Sequence, residues 1–351
     1  MRRIPTVLLT GLTLFSLSCL ATAQQGGGRF GRGDGEAPKL KNFTFEEGTL
    51  KSAKVRNGEA GYGIYLPKGY ADEANKDTKY PVVIWLHGFG GAGEWSGGGG
   101  AEVLDQLRGE GKVPPLAMVV FRAPGRRTTY MNGEAAGDVE DIIATDLVQQ
   151  LETKYRLKAE RGQRALMGVS MGGMGAMKIA MHHPDVFGTV AVHSAAILPL
   201  DPAELPEQYR GMVQRQIERG GLDKVLGNPI DKAKWQEQMP LGLVSIKKAE
   251  DWKGLNIYFD AGTDDRYGFC PPNEMLAKAM SEKGMKHLFR KVEGGGHAWS
   301  SPSMKECLAI SLQFVGAAFA GKDPVEVTKA LEPKPAKAAE PAPKKDGDAG
   351  K

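Results

Sequence analysis

Between residues 61 and 319 short apolar runs alternate with segments whose apolar positions recur at helical spacing. "GYGIYLPKGY" (61–70) predicts an early strand running into a turn. "YPVVIWLHG" (80–88) and "LAMVVFRAP" (116–124) are continuous apolar runs that stop at glycine or proline, the pattern of strands buried on both faces. "RALMGVS" (164–170), "FGTVAVHS" (187–194), "LNIYFDAG" (255–262) and "HLFRKVEGGGH" (287–297) predict further strands. Residues 138–155 carry Val139, Ile142, Ile143, Leu147 and Leu151 on one helical face. Helices are also predicted over 172–183, ending before Pro184, and over 302–319. Strands alternating with helices imply an α/β fold with a mostly parallel central sheet covered on both sides. One polar stretch, 200–251, interrupts the alternation and looks helical in pieces around Trp235 and Trp252. It lies between two predicted strands and is expected as an insertion over the strand ends. There it would form either a wall of a pocket or an ordinary packed crossover.

The ends of the 351-residue chain differ from this body. Arg2 and Arg3 precede an apolar run, Val7 to Leu20, followed by Ala21-Thr22-Ala23. That is the form of a signal peptide cleaved after Ala23, too short for a membrane span. It implies a secreted or periplasmic protein, with lipid anchoring through Cys19 as the lesser alternative. Residues 24–38 are glycine-rich and polar and are expected to be a flexible leader; 322–351, rich in proline, alanine and lysine, is expected to be a disordered tail. The domain is thus expected over 39–321. The formal charge of +4 falls largely on the two ends, which leaves the body close to neutral. No basic stripe invites nucleic acid. After cleavage two cysteines remain, Cys270 and Cys307, either a disulfide or two buried thiols.

The candidate chemistry lies in "LMGVSMGGMGAM" (166–177). Gly168-Val169-Ser170-Met171-Gly172 fits G-x-S-x-G, between a predicted strand and a predicted helix. In that context the serine occupies a strained turn whose neighbours two residues away must lack bulk. Gly173 and Gly175 are expected to bring the helix close to the sheet. A serine hydroxyl needs a base, and the base a carboxylate, here in the order Ser, Asp, His. His297, in the loop "EGGGHAW" after the last strand, meets the positional requirement. His287 enters a strand, His182 and His183 end a helix, His87 is a loop-holding residue, and His193 precedes the acid. The acid follows "LNIYFDAG". Asp260 lies on the strand, while Asp264 and Asp265 share the turn, and spacing does not choose between these two. One oxyanion donor would be the amide of Met171, and the other would come from the loop "HGFGGAGEW" (87–95). Trp95, Tyr267 and Trp299 flank these loops and are candidates to line a pocket for an aromatic acyl group or a sugar ring. The histidines lack an H-E-x-x-H spacing and the cysteines lack paired spacing, so no metal or cofactor is expected.

"GIYLPKGY", "VVIWLHGFGG", "GVSMGGMGAM", "FDAGTDD" and "EGGGHAW", in that order, resemble the "Putative esterase" family of α/β-hydrolases over roughly residues 62–319. The family includes feruloyl and acetylxylan esterases, S-formylglutathione hydrolases and mycolyltransferases. The resemblance implies an α/β-hydrolase fold and a serine carboxylesterase. It implies that the acid closes a G-x-x-D turn, which selects Asp265 over Asp264, and that the second oxyanion donor is Phe89. It also implies a small-molecule or polysaccharide ester as partner, with the carbohydrate-ester branch favoured by "EGGGHAW". Acyl transfer to a sugar, peptidase activity, or a non-catalytic carbohydrate-binding role would keep the same fold.

Overall fold

The computed structural model describes residues 39–331 except 126, 127 and 300. The predicted signal peptide, the leader and most of the predicted tail lie outside the described residues. Eight strands form one sheet. They are β1 (Phe43–Lys51), β2 (Glu59–Pro67), β3 (Val82–Leu86), β4 (Ala117–Phe121), β5 (Arg164–Val169), β6 (Thr189–His193), β7 (Asn256–Gly262) and β8 (Leu288–Val292). Their spatial order is β1-β2-β4-β3-β5-β6-β7-β8. β2 runs antiparallel to both β1 and β4, and every other pairing is parallel.

Successive residues of a strand point to opposite faces, and here both faces are covered. In β3, Val82, Ile84 and Leu86 enter one core and Val83 and Trp85 the other. That is why these strands read as unbroken apolar runs. After β3 come α1 (Gly93–Gly97) and α2 (Gly100–Gly109). The helix expected over 138–155 consists of α3 (Val139–Asp141), a π-helical stretch Ile142–Leu147 and α4 (Val148–Lys154). α5 (Met171–His182) follows β5. The insertion between β6 and β7 holds α6 (Glu207–Gly220), α7 (Asp223–Leu226), α8 (Lys232–Gln238) and α9 (Pro240–Ile246). α10 (Cys270–Glu282) and α11 (Pro302–Phe319) complete the cover.

One expectation changes, and one open alternative is decided. The ordered domain continues past residue 321, because α12 (Pro324–Lys329) follows and buries Val325 and Thr328. Cys270 and Cys307 are both buried free thiols, not a disulfide. Their helices explain this: α10 contributes Leu276 and Met280 to one core, whereas α11 contributes Leu308 and Leu312 to the other, so the sheet separates them. Burial pushes the Cys307 thiol up to about 12. Among the described residues no helix is long and apolar enough to cross a membrane.

Candidate active site

All the candidate loops emerge at the carboxyl ends of the parallel strands. Ser170 joins β5 to α5 with φ +57°, outside the range L residues ordinarily adopt. The turn is held by main-chain bonds to the next strand: the Ser170 amide donates to His193 O (2.9 Å), and the Ala196 amide donates to Ser170 O (3.0 Å). A Cβ on Gly172 would overlap the carbonyl oxygens of Leu86 and His87, and one on Gly168 that of Gly172. Both glycines are therefore needed for the turn to close against β3. Gly175 corrects the expectation: the atoms a side chain would meet there belong to the side chain of Tyr130, not to the sheet.

Beyond β7, Asp265 and His297 meet. His297 Nδ1 lies 2.8 Å from Asp265 Oδ2, and the Asp265 side chain is fully buried. Asp265 Oδ1 accepts the Tyr267 amide at 2.8 Å, which fixes the carboxylate. Asp264 pairs instead with the Thr263 hydroxyl in an exposed position. The two loops are laced together, with the Thr263 amide donating to Val292 O and the Asp264 amide to Gly295 O. His297 is further held from β6, since the adjacent Ala298 amide donates to Ser194 Oγ (3.0 Å). Ser194 and Ala298 both have positive φ, +42° and +51°. The Ser170 hydroxyl makes no hydrogen bond to the imidazole among the described residues, although both line one cavity. Such contacts often tighten only around a substrate.

The loop after β3 faces Ser170. Glu94 clasps it: Oε2 accepts the Gly88 amide (2.5 Å) and Oε1 the Gly90 amide (2.8 Å), one on each side of Phe89. Burial raises the Glu94 carboxyl above its ordinary value, opposed by these two amides and by His297. His87 is buried, and burial lowers its imidazole below the usual value. Its Nε2 accepts the Ala123 amide, so Nδ1 carries the proton and donates to Gly88 O at 2.7 Å. It holds the loop and does not reach the cavity.

The cavity, about 290 Å³, is bounded by Ser170, His297, Phe89, Glu94, Tyr267 and the insertion's Tyr209, with Met212 beside it. Tyr267 and Phe269 pack on the imidazole, with ring centroids 4.5 and 5.7 Å away. Tyr209 stacks on Phe269 at 5.7 Å. Trp95 and Trp299 are not in the lining. Both are buried and pack against Trp85, at 5.0 and 5.2 Å. Gly98 and Gly100 make room for them, since a Cβ at either position would overlap an indole. Among the described residues no group of three or more His, Cys, Asp or Glu side chains could hold a metal ion.

The family model described as "Putative esterase" matches residues 52–305. The chain belongs to that family. Among its relatives, an endo-1,4-beta-xylanase/feruloyl esterase of Xylanibacter ruminicola is 31% identical over 36% of this chain and 18% of its own length. An esterase of Mycobacterium tuberculosis is 24% identical over 74% of this chain and 56% of its own. The match therefore spans little more than half, or less, of these first relatives. An acetyl esterase of Caldicellulosiruptor saccharolyticus is 23% identical over 65% of this chain and 79% of its own. A ferulic acid esterase structure superposes with TM-score 0.64 and 26% identity, covering 79% of this chain and all of the other. The α/β-hydrolase fold is thereby established.

In this esterase-family chain the residues that sequence reasoning missed are Glu94, Ser194, Tyr209 and Met212. Glu94 falls one residue before Trp95, inside the quoted loop, and a lone acid closing a glycine-rich run was the available signal. Ser194 is the last residue of a predicted strand. Tyr209 and Met212 sit on α6, where nothing in the sequence indicates a direction toward the cavity.

Proposed function

We propose that the protein is a secreted serine carboxylesterase acting on acyl or feruloyl esters of polysaccharides. The reading is carried by one observation: a serine held at φ +57° at the start of α5 shares a cavity with an imidazole that is anchored to a buried carboxylate. Ser170 attacks the ester carbonyl while His297 Nε2 takes its proton. Asp265 fixes the ring through Nδ1 and stabilises its cation. The amides of Met171, at the positive end of α5, and of Phe89 receive the developing oxyanion. His297 then returns the proton to the departing alcohol. Water activated by the same imidazole releases the acid and regenerates the serine. Support for a sugar-bearing alcohol comes from the feruloyl and acetyl esterases among the relatives and from Tyr267 beside the imidazole. Export is read from residues 1–23.

The test compares wild type and Ser170→Ala on p-nitrophenyl acetate, p-nitrophenyl butyrate, methyl ferulate and acetylated xylan. Turnover of ferulate or xylan that disappears in Ser170→Ala is expected. Equal rates in the two proteins would overturn the mechanism. Turnover confined to the activated esters would overturn the polysaccharide assignment alone.

A further inference from the structure

A second cavity lies behind the first. It is about 20 Å³ and lies between α5 and the insertion, and its wall combines five methionines (Met131, Met171, Met174, Met212 and Met239) and Trp235 with branched side chains such as Leu198 and Leu226. That volume holds about one water molecule. The chamber is thus a seam filled by methionine chains rather than an open hole. Methionine is unbranched and adaptable, and the five in this wall let it reshape around an apolar guest more readily than branched side chains alone would.

Met171, Leu198 and Met212 line both cavities and so form the partition between them. Met171 and Leu198 are buried, and Met171 begins the helix that holds Ser170. Met212 is half-buried and comes from α6, on the insertion. It is the member of the partition with room to move.

The direction of the substrate follows from the proton path. His297 must hand its proton to the leaving alcohol, so the alcohol occupies the imidazole side, where Tyr267 packs edge-on against the ring. The acyl group is then left the remaining apolar lining of the cavity, which includes Met171, Leu198 and Met212. We propose that Met212 determines acyl specificity. It closes the acyl pocket against the methionine-walled chamber, and the chamber admits the distal carbons of a medium-length acyl chain when Met212 yields. This rests on the Ser170 esterase reading given above.

The experiment uses the full chain and measures kcat/KM on p-nitrophenyl acetate, butyrate and octanoate for wild type, Met212→Ala, and Met212→Ala with Leu226→Phe, which refills the chamber. Met212→Ala is expected to raise the octanoate-to-acetate ratio at least about tenfold, the scale of discrimination a few methylenes give in an apolar pocket. Leu226→Phe is expected to cancel the gain. A ratio within about twofold of wild type would overturn the gate. A readout independent of turnover uses Ser170→Ala and 8-bromooctanoate, whose bromine quenches Trp235 only from inside the chamber. Trp235→Phe identifies that part of the signal, and Met212→Leu supplies a conservative partition should Met212→Ala fail to fold. Quenching that differs between Met212 and its replacement supports the gate, and no Trp235-dependent quenching overturns it. If no protein hydrolyses any ester, the esterase reading fails on its own, and the quenching still decides the chamber.

Discussion

Glu94 places a carboxylate at the edge of a cavity where negative charge would develop during ester cleavage. Its two oxygens are occupied by the amides on either side of Phe89, so its effect is to orient the loop. Glu94→Ala should leave those amides without their clasp and lower kcat by about 10–100-fold, short of the roughly 10²–10³ for deleting an oxyanion donor outright. Glu94→Gln keeps one acceptor and should fall between. Wild-type kcat in Glu94→Ala would sink the positioning role. The elbow yields a second prediction. Gly172→Ala drives a methyl into the backbone carbonyls of β3 and its loop, which cannot rotate away. It should cost about 1–3 kcal/mol or more in urea denaturation. Gly97→Ala meets nothing within 4 Å and should be nearly neutral. Equal midpoints for the two variants would refute the close approach. At this scale the sequence was informative where a motif fixes chain position and silent where side-chain direction matters. Ser170 and His297 are singled out by order and loop context. Asp264 and Asp265 differ only in which way they point. Trp95 and Trp299 are neighbours of the candidate-site loops in sequence yet turn inward to pack on Trp85.

Among the elements, α5 is tied to the helical segment before it by a buried ion pair. Lys178, fully buried, donates to Glu140 Oε2 at 2.6 Å and to Tyr130 O at 2.7 Å. Glu140 Oε1 meets His182 Nδ1 at 2.6 Å and His183 Nε2 at 3.1 Å. Removing one member strands a buried charge, so Glu140→Ala should destabilise by about 3–5 kcal/mol. Glu140→Met with Lys178→Met should cost less than Glu140→Ala alone. A double variant as unstable as the sum of its singles would show that the pair is not coupled. Burial favours the neutral Glu140 carboxyl, but Lys178 and the two histidines outweigh it and hold the group far below its ordinary 4.5. A depressed carboxylate stabilises the fold above its unfolded value, and that stability is lost as pH falls below it. Wild type should therefore lose stability more steeply than Glu140→Gln from about pH 5 down to about pH 3. Parallel profiles would remove Glu140 from the acid transition. The same elements show why some were legible. β3, β4 and β5 are buried on both faces and announce themselves as apolar runs. β1 is an edge strand in which only Phe43 and Leu50 are buried, and its pattern is too weak to read. α10 opens with Pro271 and Pro272, which are compatible with a first turn but look like punctuation.

Across the whole molecule, the site is assembled from strand ends that the topology brings side by side. Val169 pairs with His193, His193 with Asp260, and Gly262 with Val292. Ser170, Asp265 and His297 come from three separate loops, and the sheet order brings Ser170 and the Asp265–His297 pair to one cavity. The domain limit was less legible, because the segment following Phe319 is polar and proline-bearing and resembles the tail beyond it. Its order comes from tertiary contacts. Asp323 caps α12 by accepting the amides of Val325 (3.1 Å) and Glu326 (3.4 Å), and it pairs with Lys286. Val325 enters the core that α11 lines, and Thr328 is buried beside it. Burying one valine contributes about 1.5–3 kcal/mol. In a domain of this size each kcal/mol moves Tm by about 2–4 °C. A chain ended after Lys322 should thus melt roughly 3–12 °C below one ended after Leu331. Differential scanning fluorimetry on the two truncations decides it. Coincident melting curves would mean that α12 rests on the domain without stabilising it, and the domain limit would return to residue 321.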